Sequence, residues 1–251
     1  MNSNWLVIPK PQPQASTRLI CLPYAGGSAS TYVRWAELLA DDIELIIIRP
    51  PGRSTRIKES PCQTMAELIA GLLPAITPLL NKPYFIFGHS FGGRVAYQLL
   101  VQLQKNNLPL AEHFFTSASR APHISGSGRY IHNLPDDELI LKLKKINNLN
   151  NAVFDDLGFM QLFLPFIRAD FKIAETFVTE PTKLLCPITA FAGDEDQVVN
   201  LTSIEAWAQV TNEFVGTQMV SGGHLFVESQ YQTILDYITQ TIQQNKQILA
   251  I

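Results

Sequence analysis

A serine between closely spaced glycines is the part of this chain best suited to chemistry. Ser90 stands in Gly-His-Ser-Phe-Gly, residues 88–92, after the apolar run Tyr84–Phe87 and before a helical stretch over 93–100. A G-x-S-x-G sequence between a strand and a helix indicates a nucleophile elbow, a tight turn that exposes the serine hydroxyl at the end of a sheet. The two glycines allow strand and helix to approach without a Cβ clash, and the helix N-terminus favours developing negative charge. We therefore predict that Ser90 is a catalytic nucleophile.

A serine nucleophile needs a histidine to take its proton, and the chain has five histidines. His224 lies in the glycine-bearing stretch 221–226, after the last predicted strand, which gives the chain order serine, acid, histidine. We predict His224 as the base. The other four have other expected places: His89 in the elbow with its side chain turned from the serine hydroxyl, His113 inside a strand, and His123 and His132 beside a helical insertion.

Three acids follow the penultimate predicted strand and could orient that histidine. The stretch after Gly193 reads Asp194, Glu195, Asp196. In hydrolases the loop that carries the acid usually reads Gly-x-x-Asp. This spacing selects Asp196, with Asp194 as the alternative. Glu195 is the weakest candidate, because its side chain should point away from those of Asp194 and Asp196. The acids that take no part in catalysis are explained as exposed residues of a solvated loop.

Backbone N–H groups must stabilise the oxyanion that forms during acyl transfer. The N–H of Phe91, the residue after the nucleophile, is one candidate donor. The second should come from the loop over 22–28, whose two glycines let the backbone turn N–H groups inward. We predict Ala25, with Tyr24 as the alternative. A phosphate-binding glycine loop is disfavoured because no Lys-Ser/Thr ending follows.

The rest of the chain alternates strand and helix patterns, which predicts a mostly parallel sheet flanked by helices. The run Ile43–Ile48 is apolar except for Glu44, as in a strand buried on both faces. The expected strands are 18–22, 43–48, 84–87, 113–117, 187–192 and 218–220, and the expected helices include 28–39, 65–80 with a kink near Pro74 or Pro78, and 231–244. With the elbow, this order identifies an α/β-hydrolase fold, class α/β, in one domain over 1–251.

Residues 125–183 interrupt the alternation with two or three helices and no good strand. Pro135 opens one helix with acids in its first turn, and Leu157–Phe177 forms another that is rich in phenylalanine and leucine. A strand-free insert in an α/β repeat must lie outside the sheet, so we interpret 125–183 as a helical lid over the site. The alternative is additional core helix.

Composition excludes several function classes. The 251 residues carry a net charge of −3, with no basic cluster for nucleic acid or an anionic membrane. The three cysteines lack metal-ligand spacing, and no apolar stretch could span a bilayer. The first residues, Met1–Trp5, lack a signal-peptide pattern, so we expect a cytoplasmic protein.

Together these motifs resemble the type II (external, editing) thioesterases that accompany nonribosomal peptide and polyketide synthases. The resemblance runs from about residue 18 to 235, and its lid motif is the most discriminating part. The matching segments are 21–30, Arg49–Arg53 with Arg56, Gly88–Gly92, Leu134–Leu139, Leu164–Phe171, Gly193–Val198 and Gly222–His224. Two departures, Tyr24 in place of the common histidine and Phe91-Gly92-Gly93 in place of Met-Gly-Ala, affect only the expected shape of the acyl pocket.

The resemblance implies a substrate in which an acyl group is held as a thioester on the phosphopantetheine arm of a carrier protein. The enzyme would hydrolyse misprimed or stalled chains, with no metal and no bound cofactor, since phosphopantetheine belongs to the carrier. The acyl or peptidyl carrier protein is the implied partner, with Arg120 and Arg129 as candidate contacts for its acidic surface. We expect a monomer, with no nucleic acid or membrane partner.

Three other functions stay open at this point. A serine esterase or lipase acting on small free esters would use the same three side chains. A thioesterase domain of a synthase would release full-length products, although the start at Met1 without an upstream linker disfavours it. A non-catalytic hydrolase-fold binding protein is disfavoured by the intact set of Ser90, Asp196 and His224.

Overall fold

The strands of the molecule form a mixed β-sheet. The computed structural model describes residues 4–126, 128, 130–147 and 157–249. The strands of this described part are β1 Leu6–Val7, β2 Thr17–Leu22, β3 Ile43–Ile48, β4 Tyr84–His89, β5 His113–Ser117, β6 Ile188–Gly193 and β7 Phe214–Val220. The α-helices are α1 Ser30–Val33, α2 Met65–Ile76, α3 Phe91–Lys105, α4 Asp136–Asn147, α5 Leu157–Thr176, α6 Leu201–Glu205, α7 Phe226–Ser229 and α8 Tyr231–Leu249.

The strand order is β1-β3-β2-β4-β5-β6-β7, and every neighbouring pair from β3 to β7 is parallel. Among the strands of the described residues, only β1 runs antiparallel, at the edge against β3. Because parallel strands end at the same side of a sheet, the segments that follow β4, β6 and β7 meet there. These segments carry Ser90, Asp196 and His224, so the topology alone brings the three predicted residues to one edge.

The central strands are buried on both faces, which explains why their sequences are mostly apolar. All six residues of β2, β3 and β4 are buried. One face packs against α2 and α3 through side chains such as Leu72 and Leu99. The other face packs against Trp35 and Ile238, the latter from α8. The predicted mostly parallel sheet with helices on both faces is therefore confirmed.

Several helices differ in extent from the sequence prediction. The expected helix over 28–39 is only the short α1, followed by a 3-10 turn over Arg34–Glu37. The expected helix over 65–80 ends as α-helix at Ile76 and continues as a 3-10 turn over Thr77–Leu79, where Pro78 has no N–H to donate. Pro74, the other position at which a kink was expected, lies inside α2.

The insertion between β5 and β6 carries α4 and α5, and its described residues contain no named strand. Leu139 and Leu143 of α4 pack against Met160 and Leu164 of α5, in an apolar cluster separate from the two sheet layers. Residues 148–156 lie outside the described part. Among the described residues, no helix is long and apolar enough to cross a membrane.

Candidate active site

Ser90 occupies a strained turn between β4 and α3. Its backbone has φ 53° and ψ −115°, in the left-handed half of conformational space that residues with a side chain rarely adopt. Such a conformation costs on the order of 1–3 kcal/mol and persists where the surroundings hold it. Here the Ser90 N–H donates to the carbonyl of Ser117 at the end of β5, at 2.7 Å. The turn lifts the hydroxyl out of the line of the strand.

The flanking glycines are required by close backbone contacts. A Cβ on Gly88 would lie 2.4 Å from the carbonyl oxygen of Gly92, and a Cβ on Gly92 would lie 2.2 Å from that of Leu22. Real Cβ atoms do not come this close to backbone oxygen. Any side chain at either position would push α3 away from β2 and β4.

We therefore expect Gly92→Ala to destabilise the fold by about 2–3 kcal/mol or more, because backbone atoms must move to admit one methyl group. Thermal unfolding of the purified variant measures this loss. Gly223→Ala is the matched control, because a Cβ there meets nothing closer than 3.9 Å. Equal melting temperatures for the two variants would contradict the steric account.

The three predicted side chains form one hydrogen-bonded chain. His224 Nε2 lies 2.9 Å from Ser90 Oγ, and His224 Nδ1 lies 2.9 Å from Asp196 Oδ2. Since a carboxylate only accepts, Nδ1–H donates to Asp196, and in the neutral ring Nε2 then accepts from the Ser90 hydroxyl. The side chains of His224 and Asp196 are 6% and 1% exposed. The arrangement is poised to move the serine proton to the imidazole.

Asp196, and not Asp194, contacts the imidazole. Burial by itself would raise the pKa of the Asp196 carboxyl, but the hydrogen bond and charge of His224, with the N–H groups of Val198 and Val199, outweigh burial and lower that pKa. The carboxyl is therefore ionised at neutral pH. Asp194 instead accepts the Gly222 N–H at 2.7 Å, which ties the two loops together.

The candidate oxyanion donors border the same cavity as the serine. Ala25 and Phe91 line it together with Ser90 and His224, and so does the alternative residue Tyr24. Within this loop, the two glycine N–H groups are already bonded, to Asp170 Oδ2 at 2.9 Å and to the Tyr24 carbonyl at 2.8 Å.

A buried ion pair connects this loop to the insertion. Asp170 of α5 accepts hydrogen bonds of 2.7 and 2.8 Å from Arg53, and Arg53 also donates to the Gly27 carbonyl at 3.0 Å. The Arg53 guanidinium lies over the ring of Phe166, 4.8 Å from its centre. Both partners lie in segments of the family resemblance, but nothing in the sequence indicated that they pair. The contact fixes α5 against the candidate oxyanion loop.

A cavity of about 760 Å³ opens at Ser90, between the sheet edge and the insertion. Its apolar wall comes largely from the two insertion helices and the segment before them: Ile131, Leu143, Ile146, Ile167 and Phe171. Polar groups, Ser119 and Asn200 among them, line other parts. No three His, Cys, Asp or Glu side chains within the described residues could share a metal ion. The cavity has room for a group attached to a carbonyl carbon at Ser90, with apolar side chains on one wall and polar ones on others.

Other residues considered from sequence lie away from the serine or are engaged elsewhere. His123 and His132 are not among the cavity-lining residues, and His132 contacts Glu175. Arg120 lines the cavity, and its guanidinium donates to the carbonyls of Ile124 and Ala174. It therefore faces inward, toward the insertion. Arg129 lies outside the described residues.

Two buried histidines make stability depend on pH. Burial, with a smaller effect of the charge on His224, lowers the pKa of His89 to about 3, and burial lowers that of His113 to about 4. The ordinary value is 6.5. The folded protein thus binds fewer protons than the unfolded chain below pH 6.5, so the stabilisation is complete above that pH and is lost as pH falls toward 4 and 3.

We expect the two histidines to lower the free energy of unfolding by about 4 kcal/mol between pH 7 and pH 5, roughly 2 kcal/mol each. Urea unfolding at the two pH values measures this decrease. His113→Asn removes one of the two groups, so the decrease should be about half as large in this variant. An unchanged pH dependence would show that His113 is not a buried neutral group.

Comparison with known proteins agrees with this architecture. A model of the thioesterase domain matches residues 17–242. The gramicidin S biosynthesis protein GrsT of Aneurinibacillus migulanus is 34% identical, over 92% of this chain and 91% of its own. Thioesterase PikA5 of Streptomyces venezuelae is 31% identical, over 94% and 84%. The structure of BorB, a type II thioesterase from the borrelidin biosynthetic cluster, matches with a TM-score of 0.88 at 33% identity, over 96% and 98%. These matches confirm the predicted α/β-hydrolase fold.

Proposed function

This chain belongs to the thioesterase family, and from that membership we propose that it hydrolyses misprimed or stalled acyl groups from the phosphopantetheine arm of a carrier protein. The carrier would serve a nonribosomal peptide or polyketide synthase, because the similar structure of ClbQ comes from the colibactin NRPS/PKS pathway and BorB comes from a biosynthetic cluster. The observation that carries the proposal is the chain of hydrogen bonds from Asp196 through His224 to Ser90, opening into the large cavity.

The reaction would proceed in two steps through an acyl-enzyme. Ser90 Oγ attacks the thioester carbonyl while His224 Nε2 takes its proton, and the imidazolium that forms is stabilised by the ionised Asp196. Collapse of the tetrahedral intermediate breaks the carbon–sulfur bond, and the imidazolium can protonate the departing thiolate. Water then attacks the ester on Ser90 with His224 as base, which releases the acid and restores the serine.

The N–H groups of Phe91 and Ala25 would hold the oxyanion in both steps. Both residues border the cavity at Ser90, and the Arg53–Asp170 pair holds the Ala25 loop from behind. In this mechanism serine, imidazole, carboxylate and backbone N–H groups supply all the chemistry, so we propose that no metal or bound cofactor takes part.

We further propose that the insertion over 125–183 acts as the lid of a single catalytic domain. The support is that α4 and α5 supply much of the apolar wall of the cavity and lie outside the sheet. This wall would cover the acyl chain while the arm reaches Ser90 from the protein surface. The cytoplasm, where carriers and their synthases act, is the proposed location, and the enzyme is proposed to work as a monomer.

The decisive comparison is between a carrier-bound thioester and a small free ester. We expect the wild-type enzyme to release a short acyl group from a loaded carrier protein with a kcat/KM well above that for the same acyl group on p-nitrophenol. An N-acetylcysteamine thioester, which has the thiol but lacks the carrier, should fall between them. Faster hydrolysis of the p-nitrophenyl ester than of the carrier thioester would favour a small-ester esterase instead.

A further inference from the structure

His89, the residue next to the serine, is fully buried and makes two hydrogen bonds through its ring. Nε2 lies 2.8 Å from the main-chain oxygen of His224, and Nδ1 lies 2.9 Å from Ser117 Oγ. Its side chain is 0% exposed. Neither bond reaches the Ser90 hydroxyl, so His89 takes no direct part in the proton transfer proposed above.

The partners determine which ring nitrogen carries the proton. A main-chain carbonyl only accepts, so Nε2 must carry the hydrogen and donate it to His224. In the neutral ring Nδ1 is then an acceptor, and the Ser117 hydroxyl donates to it. Burial keeps the ring neutral, since it lowers the pKa of His89 to about 3. Both ring nitrogens are therefore satisfied in one fixed orientation.

The bond to His224 crosses from the elbow to the loop that delivers the base. Ser90 follows His89 directly in the chain, whereas His224 is 135 residues away from His89. The ring of His89 also packs edge-on against Phe226, with ring centres 5.1 Å apart. One rigid side chain thus links the backbone of the nucleophile to the backbone of the base.

We propose that His89 is a positioning residue, which sets the distance between Ser90 Oγ and His224 Nε2 by holding the main-chain carbonyl of His224. The structure supports this role over simple packing, because the ring bonds the same residue whose imidazole meets Ser90 at 2.9 Å. A loss of this link would let the loop after β7 drift. A misplacement of about 1 Å in a catalytic group costs roughly a hundredfold in rate.

Two substitutions separate the two hydrogen bonds of His89. The amide of Gln reaches about as far as Nε2 and can still donate to the His224 carbonyl, whereas the shorter Asn reaches only the Nδ1 position, near Ser117. We expect His89→Asn to lower kcat about a hundredfold with KM changed less than about twofold. His89→Gln should retain at least about tenfold more kcat than His89→Asn.

The matched control is His113→Asn, which also removes a buried neutral histidine from a central strand. His113 bonds Thr189 Oγ1 at 2.8 Å and makes no bond to Ser90, Asp196 or His224 among the contacts of the described residues. We expect its kcat to remain within about twofold of wild type, although it loses stability. Thermal unfolding of each variant shows whether it is folded at the assay temperature.

Three readouts test the proposal, which rests on the proposed function only for the identity of its substrate. They are hydrolysis of an N-acetylcysteamine thioester, the proton NMR spectrum, and the rate at which a fluorophosphonate labels the serine, which needs no thioesterase activity. The downfield resonance of the His224 Nδ1 proton should broaden or shift in His89→Asn but not in His113→Asn. If the wild-type enzyme is labelled at the normal rate but hydrolyses no thioester, the proposed function is wrong. The labelling rates of the variants then still test the role of His89.

Equal kcat and labelling rates for His89→Asn and His113→Asn would overturn the proposal, because the loss would then be that of any buried histidine. Equal activity of folded His89→Asn and His89→Gln would also overturn it, because the bond to the His224 carbonyl would then have no special role. Should His89→Asn fail to fold, Ser117→Ala provides the other variant. Ser117→Ala removes the hydroxyl that bonds His89 Nδ1, and we expect kcat to fall about threefold to tenfold. An unchanged kcat would contradict the proposed orientation of the His89 ring.

Discussion

Replacement of Ser90 by alanine is expected to lower kcat for thioester hydrolysis by about 10⁵-fold or more. Removal of the nucleophile of such a triad has an effect of this order, and only the oxyanion donors and substrate binding remain to assist water. The structure makes the variant a clean test. Ser90 makes its side-chain contact with His224, so the loss of Oγ leaves the cavity and the sheet intact. Hydrolysis of a loaded carrier, followed by mass spectrometry, measures the decrease.

Binding should survive in Ser90→Ala, since the cavity walls are unchanged. We expect Ser90→Ala to bind the acyl-carrier protein. Its Kd should be close to that of the wild-type enzyme for a carrier whose acyl group is hydrolysed slowly. Ser16→Ala, an exposed serine just before β2 and at the opposite end of the sheet, is the matched control and should keep full activity. Substantial activity in Ser90→Ala would mean that another group attacks the thioester.

The second large effect is expected for Asp196→Asn, with a loss of about 10⁴-fold in kcat. The amide is nearly the same size as the carboxylate, but it offers no negative charge to the imidazolium and can favour the wrong tautomer of His224. Because the pKa of Asp196 is lowered, its carboxyl is ionised at the pH of the assay, so the substitution removes a full negative charge. Steady-state kinetics at neutral pH measures the loss.

The neighbouring acids provide the comparison for Asp196→Asn. Asp194→Asn keeps an oxygen for the Gly222 N–H and should lose less than about tenfold. Glu195→Gln should be indistinguishable from wild type, because Glu195 is exposed. A larger loss in Asp194→Asn than in Asp196→Asn would reverse the assignment of the acid.

The elements that carry the site were predictable because their signals are local. The elbow is a contiguous motif whose glycines, strand and helix lie within about twenty residues. Only glycine fits at positions 88 and 92, so the residue types themselves indicate the close backbone contacts there. Strand β3 was equally clear, since burial on both faces leaves a run that is apolar at every position except Glu44. The order of acid and base followed from the fold, once Ser90 had identified it.

Long-range pairings were not predictable from the same signals. The ring of His89 bonds a carbonyl 135 residues away, and Arg53 pairs with Asp170 at a separation of 117 residues. Every residue has a main-chain carbonyl, so the sequence does not indicate which one His89 bonds. Many aspartates and glutamates could pair with Arg53, so the sequence does not identify its partner. The two-residue strand β1 was missed because so short a run has no periodicity, and its pairing with the edge of β3 exists only in the folded sheet.

The most direct test of the account is active-site labelling combined with the carrier assay. The enzyme is treated with less than one equivalent of a fluorophosphonate, the labelled peptide is identified, and the mass of an acyl-loaded carrier is followed with the same sample. We predict that Ser90 alone carries the label, with thioesterase activity lost in proportion to the fraction of chains labelled. A label on another residue, or full hydrolysis of the carrier thioester by enzyme labelled at Ser90, would contradict the assignment of Ser90 as nucleophile.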